Sequence, residues 1–158
     1  MKAEFSALTA GKLGCDKLDC DKLQRALDMM GRLYSEAGAV HHRERARRAT
    51  EELMMNPERG GVWLICVDGE TAGYLCVTLC YSLEFDGRFA LLEELYHEAV
   101  WRGQGIGAQA IAFAAEWSRA RGLAAIRLEV GRTNSRAIEL YRREGFKAHD
   151  RHLMTKWL

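Results

Sequence analysis

The middle of the chain has the apolar and polar pattern of an antiparallel sheet. Residues 62–67 form a continuous apolar run that ends at Asp68-Gly69, a hairpin-turn signal. Residues 72–84 form a longer run, rich in the β-branched and aromatic residues that are enriched in strands. Phe85-Asp86-Gly87 then turns the chain into residues 89–97. The pattern predicts a three-stranded antiparallel meander.

The residues before this meander predict one short strand and two helices. The strand covers residues 3–8. Residues 21–37 carry apolar side chains at helical spacing and are followed by Gly38, a helix stop signal. A second helix is predicted over residues 42–55, and it ends before Pro57, the one proline of the sequence.

After the meander, helix and strand patterns alternate. Residues 105–121 have one apolar stripe at helical spacing, and residues 125–130 alternate apolar and charged positions. Residues 134–144 predict a further helix, and residues 147–157 predict a last strand. A strand, a helix and a second strand in succession predict a parallel pair with a crossover helix. We therefore expect a mixed α/β domain with the meander on one side and a parallel junction in the middle.

Composition places the chain among ordinary globular proteins. Its 158 residues are one domain's length, and 48% of them are apolar. No stretch approaches the roughly 18 uninterrupted apolar residues of a membrane span. Residues 1–6 lack the apolar segment of a secretory signal. We expect a cytoplasmic protein of one domain, residues 1–158, that does not bind membranes.

Charge and cysteine usage exclude further classes. With 23 Lys and Arg against 22 Asp and Glu, the net charge of +1 argues against a general nucleic-acid-binding protein. The basic run of residues 41–48 is interpreted as a solvated helix face; the alternative is that it attracts an acidic substrate or cofactor phosphates. Five cysteines without a C-x-x-C pair fit neither a disulfide framework nor a zinc site. Cys15 and Cys20, taken with His41 and His42, have no standard metal-ligand spacing, so we expect no metal.

The most informative segment is Arg102-Gly103-Gln104-Gly105-Ile106-Gly107, which lies between a predicted strand and a predicted helix. Its glycines let the backbone approach a ligand closely, and the free N–H groups and dipole of the helix start favour an anion. Arg102 adds a positive charge. The segment predicts a phosphate or pyrophosphate cradle; the alternative is a glycine-rich turn that tightens the strand–helix junction. Its spacing matches neither the GxGxxG dinucleotide fingerprint nor a P-loop.

A second informative segment runs from Asn134 to Phe146. Asn134 suits a helix N-cap, Tyr141 lies two turns further on, and Gly145 ends the helix. Taken alone, the segment is interpreted as a surface helix whose tyrosine packs on the core, because tyrosine is a residue of intermediate burial.

Together, the two segments resemble the GNAT family of acyl-CoA-dependent N-acyltransferases. The first matches the family pattern R/Q-x-x-G-x-G/A, and the second matches N-x-x-A-x-x-x-Y-x-x-x-G-F. Gly69-x-x-x-Gly73-Tyr74 in the meander is also similar to the family, whereas residues 1–61 resemble it only in layout. The resemblance implies an α/β fold: a mixed, mostly antiparallel central sheet of six to seven strands, flanked by about four helices. A parallel pair, residues 89–97 and 125–130, would splay apart in its middle.

The resemblance further implies acetyl-CoA as the cofactor. The glycine loop would hold its pyrophosphate, and pantetheine would lie between the splayed strands. The N–H of Leu95 would bond the thioester oxygen as that oxygen gains charge. Tyr141, beside the sulfur, is the candidate catalytic acid. The cofactor-binding residues implied in this way are Leu95, Tyr96, His97, Arg102, Gly103, Gln104, Gly105, Ile106, Gly107, Ala108, Asn134 and Tyr141.

Glu93 and Glu94, on the strand before the loop, are the candidate catalytic bases. A carboxylate can remove the proton that an amine with a pKa near ~10 carries at neutral pH. Strand alternation predicts that Glu93 shares a face with Leu95 and His97, and that Glu94 lies on the opposite face. We favour Glu93, which matches an acidic position in polyamine and aminoglycoside N-acetyltransferases of the family. The alternative is that both carboxylates orient neighbours or bind a substrate ammonium.

His97 and Ala99 depart from the family pattern, which often reads Tyr-Val-x-Pro at this bend. His97 is therefore a further candidate for the base, for a substrate contact or for a simple rim residue.

We hypothesise that the chain transfers an acetyl group from acetyl-CoA to a primary amine by direct attack in a ternary complex. No cysteine stands in either motif as a covalent carrier. The acceptor is a small-molecule or peptide amine that the sequence does not identify. The alternative function is a non-catalytic domain of the same fold that holds acyl-CoA as a sensor or regulatory module. A homodimer is compatible with the resemblance.

Overall fold

Five strands form one sheet within the part of the chain that the computed structural model describes, residues 1–9 and 17–158. Neighbouring strands β1 to β4 are antiparallel, and β4 and β5 are parallel. The mixed, mostly antiparallel sheet with one parallel pair is therefore confirmed. In spatial order the strands are β1 (Glu4–Ala7), β2 (Gly60–Val67), β3 (Glu70–Ser82), β4 (Gly87–His97) and β5 (Ile126–Leu128).

Four α-helices flank the sheet in these described ranges, as the sequence predicted. They are α1 (Lys17–Glu36), α2 (Arg43–Met55), α3 (Ile106–Arg119) and α4 (Ser135–Arg143). None of these four is long and apolar enough to cross a bilayer.

The sheet is apolar on both faces because helices cover both of them. Leu27 of α1 packs with Val62 and Leu64 in a cluster on one face. Ile106 of α3 packs with Ile65 in a second cluster on the other face. Successive side chains of β2 therefore enter opposite cores. This is why β2 is a continuous apolar run instead of an alternating one.

β4 contains one more residue than the part of β3 that it faces. Leu92 and Glu94 pair with consecutive residues of β3, so Glu93 between them has no opposite residue and forms a β-bulge. β5 pairs with β4 only as far as Leu92. Beyond the bulge, β4 continues beside β3 alone, and a gap opens on its β5 side. The parallel pairing therefore ends at Leu92, and the pair lies at the edge of the described sheet, not in its middle as the sequence predicted.

The predicted strand over residues 147–157 is wrong, because that segment forms no strand and is exposed. β5 has only three residues and offers a short edge for pairing. Polar residues also occur at both odd and even positions of the segment, so neither face of a strand would be apolar. Arg151 instead forms an ion pair with Glu84, with an N–O distance of 3.1 Å. The described sheet therefore has five strands, not six to seven.

Gly73 of β3 has no room for a side chain, because an added Cβ would overlap the carbonyl oxygen of Tyr96 in β4. Gly73→Ala is expected to lower the free energy of unfolding by about 1–3 kcal/mol, since the backbone must shift. Chemical denaturation measures this change. Gly131→Ala is the matched control, because a Cβ there meets no atom within 4 Å. Equal stability of Gly73→Ala and the wild type would contradict the register at this end of the sheet.

Candidate active site

A cavity of about 490 Å³ lies beside β4, between the sheet and the helices α1 and α2. Apolar side chains that include Met30, Leu53 and Leu79 form much of its wall. Glu93 and Glu94 also line it. An apolar wall with a few convergent polar groups is typical of a small-molecule site. We call this space the acidic cavity.

The β-bulge brings both carboxylates to the acidic cavity. The predicted division of Glu93 and Glu94 between two faces is therefore wrong. Glu94 lies opposite Cys76, on the face that packs against α1, and Glu93 lines the same cavity. Leu95 packs in the opposite core, with the residues of α3. One extra residue breaks the period of two, so two consecutive side chains share a face.

The two carboxylates are held by different hydroxyl groups. The Tyr74 hydroxyl, which belongs to a fully buried residue, donates to Oε2 of Glu94 at 2.9 Å. The Thr78 hydroxyl donates to Oε2 of Glu93 at the longer distance of 3.3 Å. Burial raises the pKa of Glu93, the Thr78 bond lowers it, and the negative charge of Glu94 raises it again. The net effect is a pKa of Glu93 above the usual value of a glutamate side chain.

Tyr34 and His41 face the acidic cavity from the helical side. Burial, and then the negative charge of Glu94, raise the pKa of Tyr34 to about 12. The Tyr34 hydroxyl therefore keeps its proton at neutral pH. The His41 ring lies 5.3 Å from the Tyr34 ring, and its buried Nε2 has no hydrogen-bond partner in residues 1–9 and 17–158.

The bulge also decides which N–H groups of β4 face the gap. The N–H of Ala90, before the bulge, donates to the residue that precedes β5. The N–H of Glu98, after the bulge, donates to Ala72 on the β3 side. Because N–H directions alternate along a strand, the N–H groups of Leu95 and His97 point away from β3 and into the gap.

The glycine loop between β4 and α3 is shaped by its glycines. Gly103 and Gly105 have φ values of 83° and 78°, in the left-handed region that favours glycine. An added Cβ on Gly107 would lie 2.8 Å from Cδ2 of Leu140, so this glycine lets α3 and α4 pack closely. No side chain of the described residues caps α3, and its first N–H groups lack intrahelical partners. The loop therefore fits an anionic group such as a pyrophosphate.

The remaining loop residues serve the fold with their side chains. The Gln104 amide donates to the Val100 carbonyl at 2.8 Å, and Ile106 is buried in the core. Ala108 is partly buried in the first turn of α3. At the start of the helix, the uncapped groups are therefore the backbone N–H groups.

Arg102 is engaged by its own chain. Its Nη2 donates to both carboxylate oxygens of Glu36, at 2.7 and 2.8 Å, and its Nε donates to the His97 carbonyl at 2.9 Å. Its guanidinium carbon lies 5.5 Å from the centre of the Tyr96 ring. The Tyr96 hydroxyl also contacts Glu36, at 3.4 Å. Arg102 thus fastens the end of α1 to the start of the glycine loop.

His97 lies beside α3, not among the residues that line the acidic cavity. Burial, and then the positive charges of Arg102 and Arg136, lower the pKa of His97 to about 4. The ring is therefore neutral at neutral pH. Its buried Nε2 finds no hydrogen-bond partner in the part of the chain that the structure describes.

Asn134 and Tyr141 occupy the two ends of α4. The side chain of Asn134 accepts a hydrogen bond from the Ala137 N–H at 3.1 Å, which confirms the predicted N-cap. Tyr141 packs against the core, with its ring 5.7 Å from the Phe146 ring. Burial raises the pKa of Tyr141. Its hydroxyl makes no hydrogen bond with any described residue. Tyr141 therefore packs its ring on the core while its O–H group has no acceptor among the described residues.

Metal ligands do not cluster within the described ranges, where no group of three His, Cys, Asp or Glu residues could hold an ion. Of the cysteines that were considered for this role, Cys20 is exposed. Cys15 lies outside the described residues.

The chain belongs to the GNAT family, because the family model "Acetyltransferase (GNAT) family" matches residues 27–146. An uncharacterized N-acetyltransferase from Methanocaldococcus jannaschii is 28% identical over 87% of this chain and 61% of that protein. The chain thus spans about three fifths of that relative's length. An uncharacterized N-acetyltransferase from Archaeoglobus fulgidus is 30% identical over 73% of this chain and 82% of that protein.

The fold is also shared with solved acetyltransferases. An aminoglycoside N-acetyltransferase in complex with CoA superposes with a TM-score of 0.77, covering 99% of this chain and 95% of that one. The two sequences are 14% identical, so this likeness shows the fold alone.

Sequence reasoning missed several residues of the site. Tyr34 belongs to the apolar residues at helical spacing in residues 21–37, and this pattern does not distinguish it as a site residue. Tyr74 carries a family resemblance but no sequence signal for its bond to Glu94. Glu36 stands at the end of a helix, and its pairing with Arg102 spans 66 positions of the chain. None of these contacts leaves a local pattern.

The Arg102–Glu36 pair predicts a stability effect in the ligand-free protein. Arg102→Ala is expected to lower the free energy of unfolding by about 1–2 kcal/mol. The variant loses a partly buried ion pair with two hydrogen bonds to Glu36, and also the hydrogen bond to the His97 carbonyl. Glu36→Ala should have a smaller effect, and the double variant should be non-additive by at least about 0.5 kcal/mol. Denaturation of the four proteins measures this. Arg119→Ala on α3 is the control. If Arg102→Ala lowers the free energy of unfolding no more than this control does, the Arg102–Glu36 contact does not stabilise the fold.

Proposed function

We propose that this protein, acting as a single cytoplasmic domain, transfers an acetyl group from acetyl-CoA to a primary amine in the acidic cavity. Direct attack in a ternary complex is the proposed mechanism. The bulge at Glu93 is the observation that carries the proposal. It turns the Leu95 N–H away from β3 and brings two carboxylates, Glu93 and Glu94, to one cavity. Membership of the GNAT family, and the CoA complex of the aminoglycoside N-acetyltransferase, support acetyl-CoA as the donor.

The donor side of the site is built mainly from backbone. Acetyl-CoA would supply the reactive thioester. The N–H groups of residues 103–108, with the dipole of α3, would bind the pyrophosphate. The backbone of Tyr96 and His97 would border pantetheine in the gap, and Asn134 would shape the facing start of α4. The Leu95 N–H would donate to the thioester oxygen and stabilise the charge that develops there.

The acidic cavity would bind the acceptor and remove its proton. A free amine has a pKa near ~10 and arrives as an ammonium ion. Glu94, fixed by the Tyr74 hydroxyl, would attract this cation, and the apolar wall would hold the hydrocarbon body of the acceptor. Glu93 would take the proton, because its raised pKa makes it a stronger base than an ordinary carboxylate. The neutral amine can then attack.

Tyr141 would return a proton to the departing thiolate. The thiol of CoA resembles that of cysteine, with a pKa of about 8.5, so a tyrosine with a pKa near ~10 can donate to the thiolate only if it is well positioned and its own proton is returned. The second proton of the attacking nitrogen, released as the amide forms, would reprotonate Tyr141. Burial raises the pKa of Tyr141, so the hydroxyl remains protonated at neutral pH. That hydroxyl is not committed to any described residue.

Cys76 also lines the acidic cavity, but its chemistry favours direct transfer over a covalent carrier. Burial, and then the negative charges of Glu94 and Glu93, raise the pKa of the Cys76 thiol. A thiol that keeps its proton is a poor nucleophile. The acetyl group would therefore pass to the amine without stopping on the protein.

The function is tested by thiol release from acetyl-CoA with a panel of primary amines. Wild-type protein is expected to turn over at least one amine, with kcat/KM falling as the pH drops through the raised pKa of Glu93. Protonation at low pH removes the base, whereas the deprotonated carboxylate is present above that pKa. Glu93→Gln should lower kcat about a hundredfold or more and remove this acidic limb.

Glu129→Gln is the control for this prediction, since Glu129 adds negative charge near Glu93 but does not line the acidic cavity. It should keep the acidic limb. An unchanged limb in Glu93→Gln contradicts its assignment as the base. Binding of acetyl-CoA without turnover of any amine favours the non-catalytic acyl-CoA-binding alternative.

Tyr141→Phe isolates the proposed acid. The hydroxyl has no partner among the described residues, so its removal is expected to leave the melting temperature unchanged. kcat should fall about a hundredfold while KM for acetyl-CoA stays near the wild-type value. Steady-state kinetics with the best amine of the panel measures both constants. A wild-type kcat would show that Tyr141 only packs.

A further inference from the structure

Two arginines stand near the glycine loop, and one of them is already engaged. The guanidinium of Arg102 is shared between the Glu36 carboxylate and the His97 carbonyl. A ligand phosphate at this group would compete with the charge-assisted hydrogen bonds that Nη2 already donates to the carboxylate. Arg102 is therefore a fastening between α1 and the loop, not an open anion-binding group.

Arg136, in the first turn of α4, is open. Its Nη2 lies 3.6 Å from the position that a Cβ on Gly103 would take. The side chain is exposed, and no acidic group within the described ranges forms an ion pair with it. Its positive charge also acts on His97, which lies beside the same loop. A guanidinium without an acidic partner thus stands directly over the loop.

The two sides of the loop are held at a fixed spacing. α3 and α4 pack through Gly107 and Leu140, where an added Cβ would come within 2.8 Å. The first turn of α3 presents N–H groups that no described side chain caps. An anion on the loop would meet these N–H groups on one side and the Arg136 guanidinium on the other. The planar guanidinium can donate two parallel N–H bonds to phosphate oxygens.

We propose that Arg136 is the side chain that binds the diphosphate of CoA over Gly103, and that Arg102 is a positioning residue which holds α1 to the loop. This inference rests on the proposed use of acetyl-CoA. Arg136 occupies an unspecified position of the N-x-x-A pattern, so the family motif does not mark it.

Calorimetric titration with CoA tests the proposal without any need for turnover. Arg136→Ala is expected to raise the Kd for CoA about ten- to a hundredfold, because the variant loses charge-assisted hydrogen bonds to phosphate. Arg142→Ala removes another exposed arginine from the last turn of α4 and should stay within about twofold of the wild type. Arg136→Lys keeps the charge but not the planar guanidinium that donates two parallel hydrogen bonds, so its Kd for CoA should lie between those of the two alanine variants.

Dephospho-CoA, which lacks the 3′-phosphate but keeps the diphosphate, should show the same loss of affinity in Arg136→Ala. A loss with CoA alone would assign Arg136 to the 3′-phosphate and overturn its placement at the diphosphate. Equal CoA affinity of Arg136→Ala and Arg142→Ala would also overturn the proposal. A wild-type protein that binds no CoA would instead overturn the proposed use of acetyl-CoA, and this inference with it. Thermal melting of each variant confirms that it is folded.

Discussion

Side chains and N–H groups along a strand alternate with a period of two, so one inserted residue exchanges the direction of every group that follows it. In β4 that residue is Glu93. An unbroken strand would divide Glu93 and Glu94 between two faces and would turn the Leu95 N–H toward β3. With the bulge, both carboxylates line one cavity, and the N–H faces the gap beside β5. The proposed acceptor and donor sites therefore both depend on a single irregularity of the sheet.

The end of α1 is the second constraint, because it belongs to the wall of the acidic cavity and also touches the glycine loop. Tyr34 lines the cavity, and Glu36, half a turn later, holds Arg102. A further ion pair joins Arg32 to Glu98 at 2.9 Å. These contacts make the helix, the end of β4 and the loop one mechanical unit. A displacement of the end of α1 would therefore strain or break the ion pairs that join it to Arg102 and Glu98.

Local periodicity was enough to predict the four helices and the meander, because each of these elements buries a continuous apolar face. The motifs around Arg102 and Tyr141 were enough to find the family. The bulge at Glu93 could not be predicted, since the same residues also fit an unbroken strand and only the pairing with β3 decides. The side-chain partner of Arg102 lies 66 positions away, beyond any local pattern. The prediction of a last strand was wrong, because a strand needs a neighbouring edge to pair with and β5 offers only three residues.

The two sides of β4 are built from different stretches of the chain. α1 and α2, which wall the acidic cavity, precede β2, whereas the glycine loop, α3 and α4 all follow β4. Substitutions in the first two helices can therefore change the shape of the cavity while leaving the residues over the loop untouched. If the proposed function holds, the fold allows the preference for the acceptor to diverge while the binding of the donor stays the same. Glu36 and Arg32 are the exceptions, since their ion pairs with Arg102 and Glu98 cross this divide.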